Sequence, residues 1–204
     1  MSRVTKNCRK PKGIFGNLMI RRMNKRHLEL IQWGLSHYNF SQAASILDIG
    51  CGGGITIDLL LQKSCAKVIG MDYSPLCVKM ATRKNFKNIR ANRAKIDLGN
   101  VLNMKYLDNS FDIVTAVETI YFWNPINVAL KEVYRVLADG GRFIIINELS
   151  KDHQTCDQCK KLEDKLNLKI YTEKELVKHL KDAGFTVANI SYKDKWITLE
   201  ALKK

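Results

Sequence analysis

From residue 44 the chain alternates short apolar runs with segments of helical period. ASILDIG (44–50) is an unbroken run of the kind shown by strands buried on both faces, and GITIDLLLQKS (54–64) then places Ile55, Leu59 and Leu60 at helical spacing. AKVIGMD (66–72) predicts a second strand. A helix follows it, opening at Ser74 and Pro75, a capping residue and a proline suited to the first helical position. RAKIDLGN (93–100) and FDIVTAVE (111–118) predict the third and fourth strands. NVALKEVYRVLAD (127–139) predicts a helix stopped by Gly140 and Gly141, and RFIIINE (142–148) a fifth strand. This alternation implies a parallel sheet with helices on both faces.

The tail adds a helix over 172–183, where Thr172 and Glu175 form a capping box and Gly184 supplies the stop. Strands near 185–192 and 195–202 lie too close together for a crossover helix, so they pair as an antiparallel hairpin at one edge. The expected fold class is therefore α/β: a Rossmann-like three-layer sandwich with a mostly parallel seven-stranded sheet and an antiparallel C-terminal edge hairpin. Upstream, Leu18, Met19, Met23, His27, Leu30, Ile31 and Leu35 recur at roughly helical spacing and predict an amphipathic helix, packed on the sheet or closing over a site as a lid. The chain divides into an arm and helical lid over 1–40 and a domain over 41–204.

At 204 residues the chain has the length of one domain, and no apolar run approaches the ~20 residues of a membrane span. The N-terminus, MSRVTKNCRKPKG, lacks the apolar stretch of a secretory signal, although its Arg-rich, acid-poor composition also fits a transit peptide; the six cysteines do not require a disulfide framework, and a reducing cytoplasm is the default expectation. Charge changes the picture more. A formal net charge of +14 raises nucleic acid as a partner. The excess is local: residues 1–40 hold nine basic side chains against one acidic, and residues 81–110 seven against two.

The strongest chemical signal is the first strand ending in D-I-G-C-G-G-G (48–54) directly before a helix. Glycines let the backbone turn sharply and approach a ligand, and the helix N-terminus behind them offers unpaired amides to an anionic group. The dinucleotide fingerprint G-x-G-x-x-G fails, because its third glycine would fall at Ile55 or Ile57. Asp72 ends the second strand, where its carboxylate can accept hydrogen bonds from ribose hydroxyls. Glycine turn and acid together indicate a nucleoside ligand at the carboxyl ends of the strands.

Asp48, Gly50, Gly52 and Gly54, then VIGMDYSP (68–75), NSFDIVTA (109–116) and EVYRVLADGGRFII (132–145), resemble the successive motifs of class I S-adenosylmethionine-dependent methyltransferases, in the small-molecule branch similar to the ubiquinone and menaquinone biosynthesis enzymes. The resemblance implies S-adenosylmethionine as cofactor and a small-molecule methyl acceptor. It places Asp48 and the turn through Gly50, Cys51, Gly52 and Gly54 at the methionine end of the cofactor, Asp72 at the ribose, and Met71 and Tyr73 beside the adenine. Where the family has Gly-Asp-Ala, this chain has Gly99-Asn100-Val101, and the Asn100 oxygen stands where the acid accepts the adenine amino group. Val117 ends the fourth strand beside the cofactor.

Methyl transfer from a sulfonium asks the protein to align the nucleophile and exclude water. E-T-I-Y-F-W (118–123) should overhang the methyl group, with Glu118 as base, Tyr121 as hydroxyl partner and Trp123 as wall of the acceptor site, Met19 and Met23 lining it from above; alternatively Tyr121, Phe122 and Trp123 only pack the loop. His27 and His37 are further candidate bases. The acceptor pocket is expected from the N-terminal segment, the 118–126 loop and the 149–171 insertion. His153-x-x-Cys156-x-x-Cys159 falls in a polar stretch expected between elements and, without a second cysteine pair, predicts no metal. Two alternatives stay open: an RNA methyltransferase reading phosphates through its basic surface, and a non-catalytic cofactor-binding protein on the same fold. Either a monomer or a homodimer is expected.

Overall fold

Residues 13–153 and 156–204 are described by the computed structural model. Its single sheet holds seven strands, β1 (Ser45–Ile49), β2 (Lys67–Asp72), β3 (Ala94–Leu98), β4 (Phe111–Val117), β5 (Leu137–Asn147), β6 (Thr186–Lys193) and β7 (Trp196–Leu202), in the order β3-β2-β1-β4-β5-β7-β6. The first five run parallel, and β7 is antiparallel to both β5 and β6. Strand order reverses between β1 and β4, which opens a crevice above their carboxyl ends.

Eight helices accompany it among the described residues: α1 (Gly13–Arg26), α2 (Leu28–Ser36), α3 (Ile55–Lys63), α4 (Pro75–Lys84), α5 (Phe86–Arg90), α6 (Ile126–Val136), α7 (Cys156–Leu166) and α8 (Glu173–Asp182). Both sheet faces are covered, which is why the strands read as apolar runs rather than alternating ones. Ile46, Ile113, Ile144 and Ile146 pack with Leu30, Ile31 and Leu35 of α2 and with Ile57 and Leu60 of α3. On the other face Leu47, Val114, Phe143 and Ile145 pack with Leu130 and Val133 of α6 and with Leu176 and Leu180 of α8. Each such fully buried side chain contributes about 1.5–3 kcal/mol. Gly34 lets α2 lie close on β5, since a Cβ there would sit 2.6 Å from Ile146 Cδ1.

Three local expectations are corrected. The helix expected over 127–139 stops at Val136; Leu137 is already extended and fully buried in β5. Gly140, at φ +76°, and Gly141 instead serve a bulge, where the pairing of β4 with β5 jumps from Phe111–Leu137 to Ile113–Arg142. The amphipathic stretch expected over 18–35 is two helices parted at His27 rather than one. The segment carrying Cys156 and Cys159 is the helix α7, with the Cys159 side chain buried, rather than a polar connection. The His153 and Cys156 side chains and residues 1–12 of the arm lie outside the described residues. The capping box of α8 forms as expected, Thr172 Oγ1 accepting from the Glu175 amide while Glu175 Oε2 accepts from the Thr172 amide.

Candidate active site

β1 delivers its last residue into a glycine turn, and the turn is tied down from the side by β2. The Gly50 and Cys51 amides both donate to the Met71 carbonyl, at 2.7 and 3.1 Å. Gly50 (φ +72°) has no room for a side chain, since a Cβ would lie 2.2 Å from Thr119 Oγ1. Gly52, at φ +53°, has only the Gly50 carbonyl within 4 Å of a Cβ position, so its far side is open for a ligand. Gly50, Cys51, Gly52 and Gly53 line a cavity at the carboxyl ends of the strands, together with Met71, Asp72, Tyr73, Gly99, Asn100, Val101 and Val117.

Two expected members stand apart from the lining. Gly54 (φ +77°) starts α3 and faces Asn85 and Ala81, so it shapes the turn from outside the cavity. Asp48 is buried beneath the turn. Its Oδ1 accepts from Thr115 Oγ1 at 2.8 Å, and its Oδ2 is buried with no hydrogen-bond partner among the described residues. Burial pushes the Asp48 carboxyl up to about 7.

Asp72 holds the geometry of the opposite wall. Its Oδ2 accepts from the Gly52 amide at 2.9 Å and its Oδ1 from the Ser74 amide at 2.8 Å. Burial raises its pKa, while the Ser74, Gly52 and Tyr73 amides and the Cys77 thiol, all donating to it, pull it down. Asn100 departs from expectation in part, because its Oδ1 already accepts from the Leu102 amide at 3.0 Å, leaving one lone pair for a ligand. A glycine cradle, a free carboxylate oxygen below it and an acid tied to the cradle make donor and acceptor sites that fit a nucleoside carrying an amino-acid tail.

The polar end of the cavity is built at the tip of β4. Glu118 takes φ +53°, a left-handed conformation that few side chains other than glycine adopt, and lines the cavity with Thr119, Phe122 and Trp123. Its Oε1 accepts from the Tyr121 hydroxyl at 3.0 Å and from the Glu148 amide. Burial pushes the Glu118 carboxyl up to about 7. Tyr121 is corrected as a hydroxyl partner for the acceptor: it is buried outside the cavity, donating to Glu118 and accepting from the Leu149 amide at 2.8 Å. Trp123 stacks on Phe143 with ring planes 12° apart.

α1 roofs the cavity with Ile20, Met23 and Asn24, and His27 follows at its end. A Cβ on Gly53 would lie 2.5 Å from Asn24 Nδ2 and 2.6 Å from Ile20 Cγ2, so this glycine lets the helix rest on the turn. Met19, expected in the acceptor site, does not line the cavity, whereas Ile20 and Asn24 do; of the 149–171 insertion, none of the described residues lines it. His27 Nε2 lies 3.7 Å from Glu118 Oε2 and 3.9 Å from Glu148 Oε2, while Glu148 also pairs with Arg26 and Lys195. Glu148 was missed by sequence reasoning, while Thr119 and Gly53 lie inside the 118–123 and 50–54 segments expected at the site, without an individual role given to them. Glu148 carried no local signal of its place.

Sheet order and site together define a Rossmann-like domain with a cavity above the β1–β4 switch that fits a nucleoside. Residues 47–145 match a methyltransferase domain family. It is 35% identical to the demethylmenaquinone methyltransferase of Symbiobacterium thermophilum over 55% of this chain and 45% of that one. It is 30% identical to the sterol 24-C-methyltransferase of Aspergillus fumigatus over 54% of this chain and 29% of that one. The chain thus spans less than half the length of these two relatives. In fold it resembles a Haloferax volcanii methyltransferase solved with its activator Trm112, at a TM-score of 0.78 and 18% identity, over 90% of this chain and 93% of that one. Among the described residues no helix is long and apolar enough to cross a membrane.

Proposed function

We propose that the protein transfers a methyl group from S-adenosylmethionine to a small-molecule acceptor. The carrying observation is the bond from the Gly52 amide to Asp72, which locks the glycine turn against the acid that would hold the ribose hydroxyls. The turn through Gly50, Cys51 and Gly52 would receive the methionine end, and Met71, Tyr73, Asn100 and Val101 would flank the adenine. When bound, the cofactor supplies an electrophilic methyl on a sulfonium. The buried Asp48 Oδ2 would meet the charged amino group, directly or through a water.

The acceptor end is small and mixed in character. Phe122, Trp123, Met23 and Ile31 give it apolar walls, and Glu118 and His27 give it a polar end. The roof α1 acts as a lid, excluding water and aligning the acceptor. The names of the relatives, demethylmenaquinone methyltransferase and sterol 24-C-methyltransferase, support an apolar acceptor. The buried thiols Cys51 and Cys77 suit a reducing cytoplasm. Calorimetry with S-adenosylmethionine, followed by a labelled-methyl screen of metabolite, RNA and protein fractions, tests the reading. Micromolar binding with label entering a small molecule supports it; label entering RNA would replace it with the nucleic-acid alternative.

A further inference from the structure

The glycine turn sets two basic helices side by side. A Cβ on Gly53 would meet Ile20 and Asn24 of α1, and one on Gly54 would meet Ala81 of α4 and Asn85 just after it. These contacts fix which side of each helix looks inward. On the opposite side of α1, Leu18, Arg21, Arg22 and Lys25 recur at the i, i+3, i+4 and i+7 spacing of one face, and all four are exposed. On the opposite side of α4, carried on into α5 through Asn85, the exposed Lys79, Arg83, Phe86 and Arg90 do the same.

Basic side chains at the margins of these faces find acids, Arg26 with Glu148 and Lys84 with Asp58. Those on the faces themselves make no ion pair among the described residues. Their neighbours in the chain cannot supply one, because residues 1–28 and 73–96 contain neither Asp nor Glu. A patch of one sign repels itself and suits a partner that presents many negative charges on a surface. Two large apolar side chains stand within it, Leu18 at 49% and Phe86 at 54% exposure. Leu18 has nothing to gain from the phosphates of a nucleic acid, and one face of the Phe86 ring, where a base would stack, already carries the Arg90 guanidinium 5.7 Å from its centre. A lipid surface suits both kinds of side chain: arginine and lysine meet the phosphates, while leucine and phenylalanine enter the boundary of the acyl chains.

We propose that the outward faces of α1, α4 and α5 form a docking surface for an anionic phospholipid bilayer, seated by lipid phosphates on the basic side chains and by Leu18 and Phe86 between them. α1 then serves on both sides: Ile20 and Met23 roof the cavity, and the outer face meets the lipid. The consequence for the reaction rests on the methyltransferase reading above. An apolar acceptor dissolves in the bilayer, and docking holds the roof helix of the acceptor cavity against that reservoir.

Co-sedimentation of the full chain with vesicles tests the surface. The protein should sediment with phosphatidylcholine vesicles carrying about a quarter phosphatidylglycerol and stay in solution with phosphatidylcholine alone. Raising salt from about 0.1 to about 1 M should release it. Each basic side chain at such a surface strengthens binding roughly fivefold, so Arg21→Glu with Lys25→Glu should lower the partition constant by about 25-fold or more, and Lys79→Glu with Arg83→Glu likewise. Lys174→Glu with Lys181→Glu makes the same change in net charge on α8, across the sheet, and should leave partition nearly unchanged. Equal losses in all three pairs would assign the effect to net charge and overturn the patch, as would a failure to sediment with the anionic vesicles.

Leu18→Ser with Phe86→Ser leaves charge untouched and should loosen the vesicle complex; an unchanged partition would overturn the part given to these two side chains. Single-stranded RNA added at equal phosphate concentration should leave the protein on the vesicles. RNA that strips it off assigns the patch to nucleic acid and overturns the lipid reading. Calorimetry with S-adenosylmethionine keeps the two readings apart: vesicle binding without cofactor binding upholds the surface and fails the methyltransferase, and cofactor binding without vesicle binding does the reverse.

Discussion

The Gly52 amide and the Asp72 carboxylate meet at 2.9 Å, joining the turn after β1 to the tip of β2. A charge-assisted bond of this kind is worth roughly 1.5–3 kcal/mol, and Asp72 also anchors the Ser74 amide that opens α4. Asp72→Ala should therefore weaken S-adenosylmethionine binding by roughly 10- to 100-fold or more in calorimetry. Unchanged affinity would remove Asp72 from the cofactor site.

Gly53 is the point where the roof touches the floor. Gly53→Val should force Ile20 and Asn24 away and lift α1 off the turn, since even a Cβ meets both side chains at 2.5–2.6 Å. Limited proteolysis should then cut within residues 13–27 faster than in the unmodified protein, with the thermal midpoint of the sheet domain little changed. Cleavage at an equal rate would show that the helix does not depend on this contact.

Burial raises both Glu118 and Asp48 to about 7, above the ordinary carboxylate values they recover on unfolding. The folded state then binds more protons than the unfolded state between about pH 4.5 and 7, so stability is fullest at the acid end of that window and falls as pH rises through it. For Glu118 alone the effect reaches roughly 3 kcal/mol. Urea midpoints should drop from about pH 5 to about pH 7.5, and Glu118→Gln should flatten part of that slope. An unaltered slope in the variant would mean that Glu118 titrates as an ordinary carboxylate.

Tyr121 bridges Glu118 Oε1 and the Leu149 amide through one hydroxyl. Tyr121→Phe strands the Leu149 amide and frees Glu118, at about 1–3 kcal/mol of stability. This hydroxyl lies outside the cavity, so cofactor affinity should hold while the urea midpoint falls. The opposite pattern, lost affinity with intact stability, would put Tyr121 back in the site.

The backbone plan was legible in the chain because burial on both faces leaves a simple trace. Runs such as 44–50 and 142–148 mark strands, Ser74-Pro75 and Thr172 with Glu175 mark helix starts, and a linear chain records all of these within a few residues. The glycine turn and Asp72 were legible for the same reason, each sitting at the end of its own strand. Gly140 and Gly141 misled, because a glycine pair ends a helix and opens a bulge equally well; the choice fell to Leu137, whose burial against β4 begins the strand early. Tyr121 and Trp123, two residues apart in one loop, look interchangeable in the chain, yet one is turned into the core and the other onto the cavity.

What folding added is the meeting of distant residues. His27, Glu118 and Glu148 come from the N-terminal helices, the end of β4 and the end of β5, with Arg26 and Lys195 closing the charge balance. No spacing in the chain announces such a cluster, because local patterns encode which elements form, whereas its chemistry depends on which ends the packed sheet brings within 4 Å. The sequence therefore carried the class of fold, the glycine turn and Glu118 at the end of β4, and three-dimensional packing decided which residues share one cavity and that His27 and Glu148 meet this acid.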